Sequence, residues 1–501
     1  MAILPPYWGE MNFARDVVAA MPPESLSMIE LARDGARREW SFGDSTERSA
    51  AVAAALSDAG VGRGDVVITM IGNRPEWVWA MVACFRCGFV ALACSEQLRA
   101  DDLKLRFGMT APAAIVADER NREVLEASSP PCPIIWVDDE GVTDPARAAD
   151  APDFAEMEGD EPCLITFTSG TTGEPKGVVH GQRYLPAQKL QAEHWLGARP
   201  GELVWCTAAT GWSKSARNVF IAPWITGAAA LLHDARFDPE ERLAIIEAEQ
   251  VNVLCMVPTE FRVIAKRSAP RPVASLRSMV AAGEPLNPEI LRAYHEATGV
   301  WIRDGYGQTE TGHSIGHAPG DGEPPAGAMG KPLPGIKLWI ENDEIVLDPL
   351  SEPTFFLGYV GEGARQVDGG WEIDDRQQGG PWHSGDEAHE EDGYFYFDAR
   401  ADDVIISAGY RIGPFEVESA LLTHPAVADV AAVAAPDEER GAVVRAVIVL
   451  REGFTASDEL VVELQQYAKE QTAPYKYPRI IDFVAELPKT NSGKLRRADL
   501  R

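Results

Sequence analysis

The amino-acid sequence predicts an α/β protein with a large N-terminal domain, residues 1–401, and a small α+β domain, residues 402–501. Two observations support this prediction. At 501 residues the chain exceeds what one hydrophobic core usually serves, so at least two domains are expected. Segments of helical spacing alternate with short β-branched segments from Ser45 to Asp304, which is the pattern of layered α/β subdomains with mostly parallel sheets.

The alternation assigns the first elements in chain order. Helices are predicted over residues 50–59, 76–87, 239–249 and 287–298. Strands are predicted over residues 65–71, 113–117, 163–167, 251–257 and 301–304. Helices thus connect successive strands, as a parallel sheet requires.

Residues 324–398 change character. Glycine, proline and tryptophan punctuate short strands there, such as residues 337–340 and 344–347. Because no helix is predicted between these strands, the segment is predicted to form a small β-rich subdomain of the N-terminal domain.

The C-terminal unit begins after Arg400-Ala401-Asp402-Asp403. Pro414 opens a helix at its first position, and Pro425 lies just past the predicted helix end. Strands over residues 427–434 and 443–450 follow, and then a helix from Ser457. This order predicts a compact α+β domain.

Charge limits the partners of the protein. The sequence has 46 Lys and Arg against 77 Asp and Glu, a formal net charge of −31. Such a balance argues against nucleic acid or an anionic membrane as the main partner, so a polyanionic ligand must meet local positive charge. Residues 1–10 show no basic start with an apolar core, and a cytoplasmic location is the expectation.

The longest apolar run, residues 77–94, is interrupted by Arg86 and Gly88. It predicts a buried helix that leads into a strand rather than a membrane span. The seven cysteines form no even framework, and they are expected to be reduced and to lie in the core.

A loop rich in glycine and hydroxyl groups, Thr168-Ser169-Gly170-Thr171-Thr172-Gly173-Glu174-Pro175-Lys176-Gly177, follows the strand over residues 163–167. Glycines let backbone N–H groups close on an oxyanion, hydroxyls add donors, and the lysine supplies a point charge. Because Val178 and Val179 follow, the loop is predicted to be a phosphate-binding turn between two strands. The alternative is a plain Gly/Ser/Thr linker.

A second loop, Tyr306-Gly307-Gln308-Thr309-Glu310-Thr311-Gly312, follows the short strand over residues 301–304. Tyr306 could stack on a purine, Thr309 could donate to a phosphate, and Glu310 could hold a hard cation such as Mg²⁺. Taken alone, these residues could equally be a core tyrosine and a solvated loop glutamate.

Two further groups bear on the same chemistry. Asp386, in His383-Ser384-Gly385-Asp386, stands in a tight turn where it can accept from both hydroxyls of a ribose, or can merely stabilise the turn. Lys494, in the segment 488–497, follows a glycine near the C-terminus, where a basic solvated tail is the alternative.

Together and in this order, these groups resemble the adenylate-forming superfamily of acyl-CoA synthetases, luciferases and nonribosomal-peptide adenylation domains. The resemblance covers nearly the whole chain. The segments Ser407-Ala408-Gly409-Tyr410-Arg411-Ile412-Gly413-Pro414 and Ala473-Pro474-Tyr475-Lys476-Tyr477-Pro478-Arg479 look most like those of medium-chain acyl-CoA synthetases. The resemblance implies an acetyl-CoA synthetase-like fold whose small C-terminal domain is mobile.

The resemblance also implies a two-step reaction with ATP, Mg²⁺ and coenzyme A. A carboxylic acid attacks the α-phosphorus of ATP to give an acyl-adenylate and pyrophosphate, and the coenzyme A thiol then displaces AMP. Lys494, Thr309 and Glu310 would be catalytic, and Glu310 would bind the metal. Residues implied to hold ATP or AMP are Thr168, Ser169, Gly170, Thr171, Thr172, Gly173, Glu174, Pro175, Lys176, Gly283, Glu284, Pro285, Asp304, Gly305, Tyr306, Gly307, Gln308, Thr309, Asp386, Arg400 and Lys494.

For the second step, the family's C-terminal domain rotates about a hinge, which corresponds to Asp402 here, and forms a tunnel for pantetheine. Residues that match coenzyme A contacts in medium-chain relatives are Gly409, Tyr410, Arg411, Arg440, Lys469 and Tyr477. Ala408 stands where relatives often carry serine, and Ser384 replaces a usual threonine while keeping the hydroxyl.

Gly307 and Trp212 bear on the choice of acid. Acetate-specific relatives close the acyl pocket with a tryptophan at the position of Gly307, so a medium-chain, branched or aromatic acid is expected, with Trp212 as another wall. Two other functions stay open: an adenylating enzyme that serves a carrier protein, and a non-catalytic nucleotide-binding module. The small-molecule partners are the acid, ATP and coenzyme A, and a homodimer is an assembly that the resemblance allows.

Overall fold

A computed structural model of the chain describes residues 11–139, 141–168, 175–284, 286, 288–374, 379–400, 403–407, 410–437, 441–472, 476–489 and 495–501. It confirms the predicted α/β class. Two large sheets are mostly parallel, a third is antiparallel, and a small sheet lies in the C-terminal part of the chain. Three sheets therefore lie in the N-terminal domain and create the edges where the candidate site lies.

The first sheet has seven strands and is parallel except at one edge. In sheet order they are Ile302–Arg303, Ser278–Ala281, Val253–Met256, Leu203–Cys206, Ala229–His233, Leu26–Leu31 and Arg37–Ser41. The central strands are buried on both faces, which explains their nearly continuous apolar sequences.

The second sheet has nine strands. In sheet order they are Gly370–Ile373, Gly363–Val367, Gly358–Val360, Lys176–Gly181, Pro162–Thr168, Val90–Ala93, Val66–Met70, Ala114–Ala117 and Ile134–Trp136. Strands from Pro162–Thr168 to Ile134–Trp136 run parallel, while Pro162–Thr168 and Lys176–Gly181 form an antiparallel hairpin. The predicted turn between two strands is thus confirmed.

The third sheet has seven antiparallel strands. In sheet order they are Gly305–Tyr306, Ile315–Gly316, Ala328–Pro332, Tyr394–Arg400, Trp382–Glu391, Glu344–Leu347 and Leu338–Glu341. The predicted β-rich subdomain therefore exists, but strands Gly358–Val360, Gly363–Val367 and Gly370–Ile373 leave it for the second sheet. They do so because the hairpin strand Lys176–Gly181 offers an open edge, with which Gly358–Val360 pairs.

The helices cover the faces of the sheets. The α-helices are Phe42–Asp58, Pro75–Cys87, Ala100–Thr110, Arg122–Ser128, Tyr184–Gln191, Ser213–Ala216, Ala222–Ile225, Pro239–Ala248, Pro258–Arg267, Pro288–Thr298, Pro414–Leu422 and Asp458–Gln471. Single π-helical turns are Ala14–Val18, Ala192–Leu196 and Arg217–Ile221. Short 3₁₀ turns are Glu119–Asn121, Pro145–Asp150, Pro349–Ser351 and Arg497–Leu500.

Local sequence explains where several helices begin. Ser41 accepts from the Asp44 N–H while Asp44 accepts from the Ser41 N–H, a reciprocal cap on helix Phe42–Asp58. Proline in the first turn opens six of the α-helices, Pro414–Leu422 among them as predicted. Helix Pro75–Cys87 is almost wholly buried, which confirms a core helix in the longest apolar run.

The C-terminal part contains the hairpin of Ile405–Ser407 and Tyr410–Ile412 and a three-stranded sheet of Val427–Asp437, Gly441–Leu450 and Ile480–Phe483. Helices Pro414–Leu422 and Asp458–Gln471 pack on this sheet around a core of their own. This arrangement is the predicted α+β unit. The proposed boundary residue, Asp402, lies outside the described residues.

All seven cysteines are free thiols, and six of them are buried, as predicted. Over the part of the chain that the structure describes, no helix has both the length and the apolar content that crossing a bilayer requires.

Truncating Leu464 tests whether the C-terminal domain depends on its own core. Leu464 is fully buried on helix Asp458–Gln471, whereas Val462, two positions earlier, is 64% exposed. We expect Leu464→Ala to lower the free energy of unfolding of this domain by about 2–5 kcal/mol because it leaves a cavity. Val462→Ala should change it by less than about 0.5 kcal/mol. Amide hydrogen exchange of strands Val427–Asp437 and Gly441–Leu450 measures both effects, and equal exchange in the two variants would contradict the assignment of this core.

Candidate active site

The candidate site lies where the three sheets of the N-terminal domain meet. The second sheet contributes the hairpin of strands Pro162–Thr168 and Lys176–Gly181, whose loop is predicted to bind phosphate. The third sheet contributes Tyr306 and Asp386, and the first sheet contributes the strand end before Asp304. Thr168 and Lys176 face each other as the last and first residues of the paired hairpin strands. The hairpin thus holds Thr168 and Lys176 at the base of the loop, while Ser169, Gly170, Thr171, Thr172, Gly173 and Glu174 lie outside the described residues.

Asp386, in the turn predicted to bind ribose, is hydrogen-bonded to the second predicted loop. Its Oδ2 accepts a hydrogen bond from the Tyr306 hydroxyl at 2.7 Å and another from Gln308 Nε2 at 2.7 Å. Burial, followed by the Asp386 charge, raises the pKa of Tyr306 far above its ordinary value, so the phenol stays a donor. Arg400, opposite Asp386 on the neighbouring strand, brings Nε to 3.8 Å from Asp386 Oδ1.

Gln308 is fixed at both ends of its amide. Nε2 also donates to the Ser384 carbonyl at 2.7 Å, and Oε1 accepts from the Trp382 indole at 3.1 Å. Three groups on strand Trp382–Glu391 therefore hold the loop that carries Thr309 and Glu310.

Glu310 and Lys176 both contact Tyr359. The Tyr359 hydroxyl donates to Glu310 Oε1 at 2.9 Å, and Lys176 Nζ lies 4.8 Å from the centre of the Tyr359 ring. Burial raises the pKa of Glu310. One aromatic residue thus connects the carboxylate predicted to bind metal with the lysine predicted to bind phosphate.

Asp304 and Glu284 lie at the carboxyl ends of neighbouring strands of the first sheet. The Asp304 carboxylate accepts from the Gly305 N–H at 2.8 Å, and burial raises its pKa to about 8. Glu284 Oε2 accepts from Thr259 at 2.7 Å and from Arg262 at 3.2 Å, while its buried Oε1 has no described partner. Gly283 has a φ of +100°, which favours glycine, and Pro285 lies outside the described residues.

Aromatic rings support the second loop from below. The Trp195 indole donates to the Asp304 carbonyl at 3.2 Å, and its ring stacks on His313 with centroids 3.8 Å apart. A Cβ on Gly305 would lie 2.4 Å from His313 Cε1. Only glycine therefore lets the strand Gly305–Tyr306 rest directly on the imidazole.

Gly307 requires a correction to the sequence analysis. The absence of a side chain was expected to open the acyl pocket, but a Cβ on Gly307 would lie 1.9 Å from the Gly312 carbonyl oxygen. The space beside Gly307 is therefore filled by its own loop. A tryptophan at this position would displace the loop before it could shorten a pocket.

Trp212 lines a small cavity together with Gly211, Cys94, Ser95, Phe167 and Arg106. Phe167 directly precedes Thr168 of the hairpin, so this cavity lies beside the base of the phosphate-type loop. Helix Ser213–Ala216 begins at the next residue and carries Lys214, whose ammonium donates to the Ala282 carbonyl.

In the C-terminal domain, Lys469 Nζ lies 4.1 Å from the centre of the Tyr477 ring, so two of the predicted coenzyme A residues are in contact. Tyr410 and Arg411 belong to strand Tyr410–Ile412. Four predicted residues lie outside the described part of the chain: Gly409, Arg440, the predicted hinge residue Asp402 and Lys494. Lys266 of helix Pro258–Arg267 joins the two domains by donating to the Ala428 carbonyl at 2.5 Å.

Three residues of the site were missed by the sequence analysis: Tyr359, Trp382 and His180. Tyr359 and Trp382 bind the second loop across 49 and 74 positions of sequence, and no local pattern signals such contacts. The His180 ring lies within hydrogen-bonding reach of the Thr309 and Thr354 backbones. Its place on the buried hairpin strand Lys176–Gly181, four residues after the lysine, is the signal that could have found it.

Fold and site together define a two-domain enzyme of the adenylate-forming class. Profiles of two families match the chain: "AMP-binding enzyme" over residues 16–352 and "AMP-binding enzyme C-terminal domain" over residues 416–494. The chain belongs to the AMP-binding enzyme family, as the sequence motifs predicted.

Proteins similar to this chain carry ligase names. It is 39% identical to the uncharacterized acyl-CoA ligase YtcI of Bacillus subtilis (strain 168), over 93% of this chain and 91% of that protein. It is 35% identical to human acyl-coenzyme A synthetase ACSM3, mitochondrial, over 98% of this chain and 89% of that protein. The crystal structure of the anthranilate CoA ligase AuaEII with anthranoyl-AMP matches with a TM-score of 0.85 and 26% identity, over 98% and 97% of the chains.

Substituting Gly307 tests the close contact in the second loop. We expect Gly307→Ala to lower stability by about 1–3 kcal/mol and to slow nucleotide chemistry, because the methyl group forces the Gly312 carbonyl away. Gly108→Ala is the matched control: it lies in helix Ala100–Thr110 with nothing within 4 Å, and alanine there should not destabilise. Thermal unfolding with and without ATP measures both variants. A Gly307→Ala protein as stable as Gly108→Ala would contradict the contact.

Proposed function

We propose that the protein is an ATP-dependent carboxylic acid–CoA ligase that forms an acyl-adenylate and pyrophosphate, and then acyl-CoA and AMP. The observation that carries this proposal is the convergence of separate motifs. Tyr306 and Gln308 donate hydrogen bonds to Asp386, the residue predicted to bind ribose. Glu310 and Lys176, predicted to bind metal and phosphate, both contact Tyr359. A nucleotide triphosphate is the ligand whose ribose and phosphates would need these groups at one place.

Positive charge is the main requirement of the first step. Attack of a carboxylate on a phosphate brings two anions together, so preorganised donors at the developing charge lower the barrier, each by about 3 kcal/mol. We assign Lys176 and the hairpin loop to the β- and γ-phosphates, Thr309 to the α-phosphate, and Asp386 with Arg400 to the ribose. Lys494 is the proposed catalytic lysine, which would contact both the attacking carboxylate and the α-phosphate.

Glu310 suits a magnesium ion. Its Oε1 accepts a hydrogen bond from the Tyr359 hydroxyl, and a carboxylate oxygen is the hard ligand that this ion prefers. Among the described residues no group of three or more His, Cys, Asp or Glu could hold a metal. Such a sparse site fits Mg²⁺, which usually keeps several waters and binds one or two carboxylates plus substrate phosphates. When bound, the ion would neutralise phosphate charge.

The second step needs access for a thiol rather than another cation. We propose that residues 402–501 rotate about Asp402, as in the family, withdraw Lys494 and present the Gly409 loop to coenzyme A. Contact between Lys469 and Tyr477 supports a shared surface for the cofactor. The Lys266–Ala428 hydrogen bond between the domains would have to break in this rotation.

We infer that the acid is of medium length or aromatic. Support comes from the relative whose crystal structure holds anthranoyl-AMP, since that protein activates an aromatic acid. Carboxylate-dependent exchange of pyrophosphate into ATP tests the enzyme class directly. Exchange with none of the acids from C2 to C12, nor with benzoate, would leave a non-catalytic nucleotide-binding module. Acyl transfer to a carrier protein but not to free coenzyme A would favour the carrier-dependent alternative.

Removing the Lys494 ammonium separates the two steps. We expect Lys494→Ala to slow pyrophosphate exchange by about 100-fold or more, because one preorganised donor is lost at the transition state. Thioester formation from supplied acyl-adenylate should stay within a few-fold of wild type. Lys489→Ala is the control, since Lys489 pairs with Asp429 at 2.9 Å on the same segment. Equal loss of both half-reactions in Lys494→Ala would contradict the proposed role.

Asp386→Asn tests the ribose assignment. We expect the KM for ATP to rise about 10-fold or more, because hydrogen bonds to a charged group are worth about 1.5–3 kcal/mol. Glu390→Gln, an exposed position on the same strand, should leave this KM unchanged. Exchange kinetics at varied ATP concentration measure both variants. An unchanged KM in Asp386→Asn would show that the carboxylate only supports the loop.

A further inference from the structure

The guanidinium of Arg217 is buried without a counter-ion among the described residues. Its side chain belongs to a residue that is only 4% exposed, and Nε and Nη1 have no hydrogen-bond partner in the described part of the chain. No described carboxylate lies within 4.0 Å of it. This feature has no role in the function proposed above.

Three other buried arginines of the described residues each have a carbonyl or carboxylate partner, although Nε of Arg183 and Nε of Arg242 have none. Arg183 donates to the Phe355 carbonyl at 2.7 Å and pairs with Asp160. Arg303 donates to the His317 carbonyl at 2.9 Å, and Arg242 lies 3.6 Å from Glu260. Arg217 differs from these three because two of its nitrogens are unpartnered and it has no ion pair among the described residues, so a ligand is the partner to look for.

The position of Arg217 connects it to the reaction site. It begins the π-helical turn Arg217–Ile221 between helices Ser213–Ala216 and Ala222–Ile225, and such turns frequently occur at functional sites. One turn earlier, Lys214 contacts Ala282, next to Gly283 and Glu284. On the other side, the charge of Arg217 acts on His180, whose ring reaches the Thr309 backbone.

Among the described side chains around Arg217, none forms an ion pair with it. Burial, and then the charge of Arg217, lowers the pKa of His180 to about 3, and the same causes lower the pKa of His313, so both rings are uncharged. Burial raises the pKa of Tyr184, which remains a neutral phenol and lies within hydrogen-bonding reach of Arg217. The Glu352 carboxylate feels the charge of Arg217, but no ion pair joins the two described residues. Burial raises the pKa of Glu352 to about 7, and Ser314 at 2.9 Å and Thr354 at 2.5 Å donate to it.

Burying such a cation is costly. An arginine keeps its proton under all conditions in which proteins fold, so it cannot escape the cost of burial by becoming neutral, as a lysine can. An unpaired buried charge is strongly unfavourable, whereas a carboxylate matches the guanidinium with two parallel charge-assisted hydrogen bonds. His180 Nδ1, which is also buried and unpartnered, offers a further polar atom.

We propose that Arg217 binds a second carboxylate at the far end of the acid, so that the substrate class is a dicarboxylic acid with a medium-length chain or an aromatic ring. This inference rests on the proposed ligase function. One carboxylate of the diacid lies at Thr309 and is adenylated. The other stays unreacted, pairs with the Arg217 guanidinium, and fixes the length and direction of the acyl group.

Matched pairs of acids test the proposal. AMP release is measured with ATP and coenzyme A for hexanoate against adipate, octanoate against suberate, and benzoate against terephthalate. In at least one pair, wild type should show a kcat/KM for the diacid about 10-fold or more above that for the monoacid, as expected for a charge-assisted pair. A preference for the monoacid in every pair would overturn the proposal.

Substituting Arg217 locates the effect. Arg217→Met keeps most of the side-chain length and should lower the diacid-to-monoacid ratio of kcat/KM by about 10- to 100-fold. Arg217→Lys keeps the charge but loses the planar fork, so its diacid-to-monoacid ratio should lie between those of wild type and Arg217→Met. Arg236→Met, at an exposed position, is the control and should leave the ratio unchanged. Equal loss for both acids of a pair in Arg217→Met would reduce Arg217 to a structural role and refute the proposal.

Wild-type protein alone provides a second measurement, which holds even if Arg217→Met does not fold. At equal concentration, the diacid should raise the midpoint of thermal unfolding more than its monoacid partner, and no difference in any pair would count against the proposal. Failure of the ligase function itself is distinguishable, because none of the acids tested would then support AMP release by wild type.

Discussion

The hydrogen bonds that Asp386 accepts from Tyr306 and Gln308 hold the candidate site together. In the order of the third sheet, three strands separate Gly305–Tyr306 from Trp382–Glu391, so the sheet must curl for a tyrosine hydroxyl to reach that carboxylate. The same loop ends at Glu310, which Tyr359 ties to the strands beside the phosphate hairpin. One buried carboxylate therefore fixes the geometry on which nucleotide binding depends.

The buried ionisable groups at this site are of two kinds: those with partners inside the protein and those with unpartnered atoms. Some ionisable groups are satisfied within the protein, as Glu352 is by hydrogen bonds from Ser314 and Thr354. Arg217 differs, because its Nε and Nη1 have no hydrogen-bond partner among the described residues. Low local dielectric makes such groups costly in isolation and effective once a complementary ligand arrives.

Sequence motifs predicted the hairpin, the second loop and the C-terminal unit, because each depends on local pattern and turn chemistry. Prediction was weaker wherever a contact joins distant segments. Gly307 illustrates the limit: its missing side chain suggested an open pocket, yet the space is taken by the Gly312 carbonyl of the same loop. The strands over residues 358–373 likewise lie inside the segment predicted as one β-rich subdomain, yet they join the second sheet, since the open edge of Lys176–Gly181 cannot be recognised in the sequence.

By itself, the sequence determined the α/β class, the family, and the residue types of the candidate site, since glycine, hydroxyl and charged side chains at fixed spacing form a local pattern. Tertiary structure alone decided which groups meet. Asp386 with Tyr306, Glu310 with Tyr359, and Arg217 without a described counter-ion are outcomes of chain segments brought together by sheet curvature and core packing. Burial then sets their electrostatics, and burial belongs to the folded chain rather than to any motif.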